Sequence, residues 1–372
     1  MGGAKKMVFE EDGPKHMIMR SGSTGIEVDW GNHEHRRCVT ACLVRGTYVM
    51  EHDRTTGQEN SPRSLAPAWW ESFHFQRRRN YELEFACDCD LEFACGDCKL
   101  NFEARCRWPI YGAVFEYAPP DGEPRHPSAP SYIIAFRGTM PRDPAFFSDM
   151  LDNFSILLNK QHLCGRFRHA REKVGELLLS LRSIPGNGNG GAVWLAGHSL
   201  GASIALDVGR DLMSTRGLNL PTFLFNPPHV SLAPVISEEA RRDVYTMGYI
   251  GKRLLGKALP RHKDHMDDLF RKLSPWEPNL YVHPEDAICK GFIDYFEQRE
   301  RMQKRHPCLA SAASLSYRDM LLGKQRVRPH LLPSAMVWKN RSRHGDGHGL
   351  CQWWEPEGSE KLVLSPKRYT WP

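Results

Sequence analysis

The string Ala192-Val-Trp-Leu-Ala-Gly197-His198-Ser199-Leu200-Gly201-Ala202 sets a serine between two glycines in Gly-x-Ser-x-Gly spacing. An apolar run with strand character precedes it, and Ala-Ser-Ile-Ala-Leu-Asp-Val follows with helix character, the context a nucleophile elbow requires. A serine on so sharp a turn takes strained backbone angles. Side chains two residues to either side would collide with the adjoining strand and helix, so Gly197 and Gly201 are what the turn demands. Free N–H groups at the start of the following helix would favour the negative charge that develops during acyl transfer.

A serine hydroxyl is a weak nucleophile and needs a base, which in turn needs an orienting carboxylate. In this architecture the chain order is Ser, then Asp or Glu, then His. Downstream, Asn279-Leu-Tyr-Val-His-Pro-Glu-Asp286 reads as a strand followed by a turn that carries acids, and Asp286 is the chosen carboxylate, with Glu285 as its rival. His283 suits a polar strand end. The histidines beyond it are His306, His330, His344 and His348. His348 is preferred because Gly347 and Gly349 let the backbone approach closely and Trp353-Trp354 can anchor the loop, whereas His344 lies in a basic run. For the oxyanion, Thr139 directly follows the strand Tyr132-Ile-Ile-Ala-Phe-Arg137-Gly138 and offers an N–H and a hydroxyl; the second donor is the N–H of Leu200.

These residues need a frame. Short apolar runs bounded by turn residues predict strands at 112–117, 132–136, 192–196, 222–225 and 280–282. Between the second and third, Phe167, Ala170, Val174, Leu177, Leu178 and Leu181 recur at three- and four-residue spacing, one apolar helix face. It ends before Pro185-Gly-Asn-Gly-Asn-Gly-Gly191, which cannot continue a helix. Further helices are expected at 38–49, after Gly201 and after Asp286. Strands alternating with amphipathic helices require crossovers, hence an α/β fold with a mainly parallel central sheet covered by helices. The charged stretch 241–273 is expected as a helical cap insertion. Residues 1–26 read as a flexible lead-in and 27–372 as a single domain.

Together, Ile134-Ala-Phe-Arg-Gly-Thr139, Gly197-His-Ser-Leu-Gly201, Asp286 after its strand and His348 before Trp353-Trp354 resemble the lipase class 3 (fungal lipase-like) α/β-hydrolases. Val28-Asp-Trp-Gly-Asn-His-Glu-His-Arg-Arg37, Leu65-Ala-Pro-Ala-Trp-Trp70 and the closing tryptophan pair are similar to a plant branch of that family, whose members often carry the label GDSL esterase/lipase. The Gly-Asp-Ser-Leu motif that the label denotes is absent. The resemblance covers the chain from about residue 28 onward. It implies the α/β-hydrolase fold, hydrolysis of lipid acyl esters (a glycerolipid or another fatty-acyl ester), a Ser199, Asp286, His348 triad and no cofactor. A lipase-like regulatory or binding protein is the alternative, and the complete Ser199, Asp286, His348 set favours the enzyme.

The 372 residues, 41% hydrophobic and 25% charged, suit a globular chain and exclude disorder as a whole-chain reading. No Gly-x-Gly-x-x-Gly or Walker loop opens any unit, which removes the commonest nucleotide-binding readings. A net charge of +6, scattered along the chain, argues against a nucleic-acid groove. No run approaches the roughly 20 apolar residues of a spanning helix, and the start Met1-Gly-Gly-Ala-Lys-Lys lacks a secretory apolar run, so the expected compartment is cytoplasmic with reduced thiols. The expected partner is a lipid or small acyl ester, with peripheral contact at a lipid surface favoured by the basic 241–273 stretch. Oligomeric state is not legible.

An insert at 81–106 departs from the family pattern. Leu83-Glu-Phe-Ala-Cys87 recurs as Leu91-Glu-Phe-Ala-Cys95, and Cys87, Cys89, Cys95 and Cys98 are close enough in sequence to ligate zinc, although Cys-x-Cys is not the usual knuckle spacing and a metal-free insert is the preferred reading. The apolar loop after Thr139, with Phe146, Phe147, Met150, Leu151 and Phe154, is the candidate lid.

Overall fold

A computed structural model describes residues 7–19, 25–79, 83–84, 109–119, 125–140, 165–182, 193–229, 238–306, 312–316 and 331–371. Among them lie nine strands of one sheet: β1 Phe75–Arg77, β2 Leu83–Glu84, β3 Ile110–Tyr117, β4 Tyr132–Phe136, β5 Val193–His198, β6 Thr222–Phe225, β7 Asn279–Val282, β8 Ala335–Asn340 and β9 Leu364–Tyr369. The order is β1-β3-β4-β5-β6-β7-β8-β9, with β2 also paired to β3. Strands β4 to β8 run parallel, and antiparallel pairs close both sides, β3 on β4 and β9 on β8. The sequences explain the division. Tyr-Ile-Ile-Ala-Phe of β4 and Thr-Phe-Leu-Phe of β6 are buried at every position, as strands covered on both faces must be. The edge strand β9 exposes Lys367 and Arg368 and tolerates Pro366.

Side chains alternate between two cores. Ile134, Phe136, Leu195, Leu224, Leu280 and Val282 pack beneath α5 (Gly165–Arg182), α6 (Leu200–Arg216) and α9 (Lys290–Arg305). Ile133, Ala135, Trp194, Phe223, Phe225 and Tyr281 face the opposite core, formed by α3 (His33–Thr55) and an aromatic group that includes Trp69, Trp70, Trp353 and Trp354. Asn32 caps α3 by accepting the Glu34 N–H at 2.8 Å. The strands expected at 112–117, 132–136, 192–196, 222–225 and 280–282 correspond to β3 to β7, with ends that differ by up to two residues.

Two features depart from expectation. Residues 7–19, read as part of a flexible lead-in, form the short helices α1 Phe9–Asp12 and α2 Lys15–Ile18. Phe9 and Met17 are buried, Phe9 edge-on to Trp69 and Phe73 at 5.2 and 5.7 Å between ring centres, so apolar anchors in a mostly polar segment tie it down. The stretch 241–273 is helical, as α7 (Glu238–Ala258) and α8 (Pro260–Leu273). Yet α8 sinks Phe270 and Leu273 into the core beneath α6, and α7 packs on α8 and α9. Its contacts therefore join the body of the fold. Among the described residues no helix is long and apolar enough to cross a membrane.

Candidate active site

Strand β5 ends at His198 and α6 begins at Leu200, so Ser199 forms the whole turn. Its φ of 54° and ψ of −126° are a strained combination for a residue with a side chain. The turn closes only without side chains beside it: a Cβ on Gly197 would stand 2.3 Å from the Gly201 carbonyl oxygen, and one on Gly201 would stand 2.3 Å from that of Phe136. Both obstacles are backbone. Hydrogen bonds hold the strain in place, since Ser199 N–H donates to Phe225 O at 3.0 Å and Ser199 O accepts from Ala202 N–H at 2.9 Å.

Three side chains meet at this turn. His348 Nε2 is 3.1 Å from Ser199 Oγ, and His348 Nδ1 is 2.9 Å from Asp286 Oδ2. An ionised carboxylate only accepts, so Nδ1 carries the proton and Nε2 presents its lone pair to the serine hydroxyl. Asp286 is buried, and burial alone would raise its pKa. The hydrogen bond and charge of His348, with hydrogen bonds from Cys289 and Asn226, outweigh burial and hold it below the ordinary value of 3.8. Its Oδ1 also accepts from Ile288 N–H at 3.0 Å. A base that is held by an ionised acid and hydrogen-bonded to a strained serine can activate that serine for attack on a carbonyl.

The expected oxyanion donors flank the turn. Leu200 opens α6, where the first N–H groups have no helical carbonyl one turn back. Thr139 follows Gly138, whose added Cβ would meet Ser199 Cβ at 2.9 Å, so the end of β4 runs directly beside Ser199. Buried Arg137 fixes that exit by donating to Ile110 O at 2.5 Å and Gly138 O at 2.9 Å.

No known family profile and no solved structure matches the chain significantly. A protein of Arabidopsis thaliana named GDSL esterase/lipase is 32% identical over 370 residues, spanning 94% of this chain and 95% of the relative. The chain belongs to this esterase/lipase family.

Within this esterase/lipase the rival residues have other roles. Glu285 is exposed, and its N–H donates to His283 Nδ1 at 3.2 Å while His283 Nε2 donates to Ser342 O at 3.0 Å, a clamp beneath the acidic turn. His306 is exposed at the end of α9, and His344 is exposed on its loop. His330, the candidate lid around Phe146 to Phe154 and the cysteines Cys87, Cys89, Cys95 and Cys98 lie outside the described residues.

Three contributors escape sequence reasoning. Asn226, at the end of β6, donates from Nδ2 to Asp286 Oδ2 and to Gly347 O, each at 2.8 Å, and accepts the Trp353 indole N–H at 2.6 Å. The second is His198, the variable residue of the elbow. It sits between Tyr48, the third, and the main chain of His348, at 2.9 Å from each. Only the tryptophan pair was legible as an anchor, from its position after His348.

Proposed function

We propose that this esterase/lipase is a serine carboxylester hydrolase of the lipase class 3 type, with an α/β-hydrolase fold and Ser199, His348 and Asp286 as its triad. The observation that carries the reading is the hydrogen-bonded line from Ser199 Oγ through His348 to Asp286 at a strained strand-to-helix turn.

Ser199 Oγ attacks the ester carbonyl while His348 Nε2 takes its proton, and the imidazolium that forms is stabilised by the Asp286 carboxylate. The N–H groups of Leu200 and Thr139, with the Thr139 hydroxyl, bind the oxyanion. Collapse of the tetrahedral adduct breaks the C–O bond, and His348 returns the proton to the departing alcohol. Water then attacks the acyl-Ser199 ester, gives its proton to His348, and the carboxylic acid leaves as Ser199 regains its hydrogen.

The substrate class is a lipid acyl ester such as a glycerolipid, a reading supported by the relative's name. Contact with an anionic lipid surface is supported by α7. Met247, Ile250 and Leu254 lie at three- and four-residue spacing and are 68, 38 and 62% exposed, while Val244, Leu255 and Leu259 extend the apolar surface. Exposed Lys257 and Arg261 flank it, as in helices that lie in a lipid interface.

Labelling with a fluorophosphonate and hydrolysis of esters of increasing acyl length test the reading. Wild-type protein is expected to label at Ser199 and turn over esters, and Ser199→Ala to lose on the order of 10⁶ in kcat where the triad works as a unit. Ester hydrolysis surviving Ser199→Ala would overturn the mechanism. A folded wild-type protein that neither labels nor hydrolyses would favour a binding role on the same fold.

A further inference from the structure

The residue before the nucleophile is a histidine whose two ring nitrogens are both engaged. His198 Nε2 lies 2.9 Å from the carbonyl oxygen of His348, and Nδ1 lies 2.9 Å from the hydroxyl of Tyr48 on α3. A carbonyl only accepts, so Nε2 carries hydrogen. Burial, reinforced by the neighbouring His348, lowers the His198 pKa to about 3, so the ring is neutral at physiological pH and Nδ1 is bare. The Tyr48 hydroxyl must then donate to Nδ1. Its oxygen in turn accepts the Gly138 N–H at 2.7 Å, and burial raises the phenol to about 12, which keeps that donor proton in place. Every hydrogen has one assignment: Gly138 N–H to Tyr48, Tyr48 O–H to His198, His198 Nε2–H to His348 O.

This chain links three separate segments around Ser199: the exit of β4, the elbow itself and the loop that carries His348. Within this line of hydrogen bonds neither Tyr48 nor His198 bonds to Ser199 Oγ, whose partner is His348 Nε2. We propose that Tyr48 and His198 are positioning residues, a strut from α3 that, by holding Gly138, sets the spacing between the His348 base and the oxyanion donor Thr139. The proposal rests on the hydrolase reading above and deepens it. Misplacement of reacting groups by about 1 Å can cost on the order of 100-fold in rate, so a helix on the far side of the sheet from α6 acquires control over turnover.

Tyr48→Phe keeps the ring and removes only the donor and acceptor. The variant is expected to fold, to lose about 10- to 100-fold in kcat with KM little changed, and to slow fluorophosphonate labelling of Ser199 by a similar factor. In a His198→Gln background the same substitution is expected to cost much less, because the strut is already broken. Wild-type kcat and labelling rate in folded Tyr48→Phe would overturn the proposal, as would a lowered melting temperature with unchanged kcat, the mark of a merely structural hydroxyl. A readout independent of turnover is nitrogen-15 NMR of the histidines. Wild-type His198 is expected as the Nε2–H tautomer, and His348 ring signals are expected to move in Tyr48→Phe. His348 signals that stay fixed would refute the strut even if the protein hydrolyses nothing, whereas an inactive wild type whose His348 signals do move would refute only the hydrolase reading.

Discussion

Asn226 uses both amide donors and its acceptor, on the Asp286 carboxylate, the Gly347 carbonyl and the Trp353 indole. It does so from a left-handed backbone conformation, φ 48°, which asparagine tolerates better than most residues. Replacing it with alanine strands the Trp353 indole N–H in a buried site and takes a donor from the Asp286 carboxylate. Asn226→Ala is expected to destabilise by about 1–3 kcal/mol, read as a lowered urea midpoint at constant slope. Asn226→Asp sets a second carboxylate against Asp286, and a like charge disfavours the ionised form, raising the pKa of Asp286. The acid limb of kcat/KM should then move to higher pH in that variant; coincident limbs would exclude direct coupling. Ser199, Gly197 and Gly201 were legible because the elbow imposes a local spacing, and Asp286 and His348 because their chain order and flanking glycines and tryptophans narrow the choice. Asn226 and Tyr48 carry no local pattern, since their partners are set by how β6 and α3 pack.

Strand-to-helix contact at the elbow and solvent contact along α7 call for opposite outcomes from one substitution. Gly201→Ala pushes a methyl into the Phe136 carbonyl, a backbone atom that cannot swing away, and should cost about 3 kcal/mol or more, seen as loss of soluble folded protein. Gly248→Ala on α7 meets nothing within 4 Å and removes a flexible residue from a helix, so its melting temperature should rise, corresponding to about 1 kcal/mol. On the apolar face of the same helix, Leu254→Glu should change stability by less than about 0.5 kcal/mol. It should nonetheless reduce co-sedimentation with anionic vesicles if that face meets lipid; unchanged sedimentation would remove α7 from the lipid contact. Strands β8 and β9 escaped the sequence reading because of their burial. Both are only partly buried, and β9 carries Ser-Pro-Lys-Arg, so neither presents the unbroken apolar run that marks β4 to β7.

Two histidines held away from water, His33 and His198, tie the stability of the folded molecule to pH. Burial, with the charges of Arg37 and Arg36, lowers the pKa of His33 to about 3, and burial beside His348 does the same for His198. The unfolded chain protonates each near the ordinary value of 6.5 while the folded chain does not, so below that pH the unfolded state binds more protons. The stability contributed by these neutral rings is fully present above pH 6.5 and is lost as pH falls from there toward 3. A melting temperature that begins to fall near pH 6.5, before the carboxylates titrate, is the expected result. His33→Gln should make that fall shallower, because its ring, stacked on Trp338 at 3.7 Å and bonded to the Tyr281 hydroxyl at 2.9 Å, is one of the two principal sources. A slope identical to wild type would assign the pH dependence elsewhere.

Local rules of chain geometry determined the α/β class, the strands β3 to β7 and the sharp turn at Ser199, because period, spacing and glycine placement act over a few residues. The anchored N-terminal helices, the union of α8 with the core and the edge strands depend on contacts between segments far apart in the chain. The same holds for the Asn226 and Tyr48–His198 connections, which join residues 60 to 150 positions apart. A hydrogen-bond partner at that separation is selected by packing, and packing exists only once the sheet and its two helical layers have closed around it.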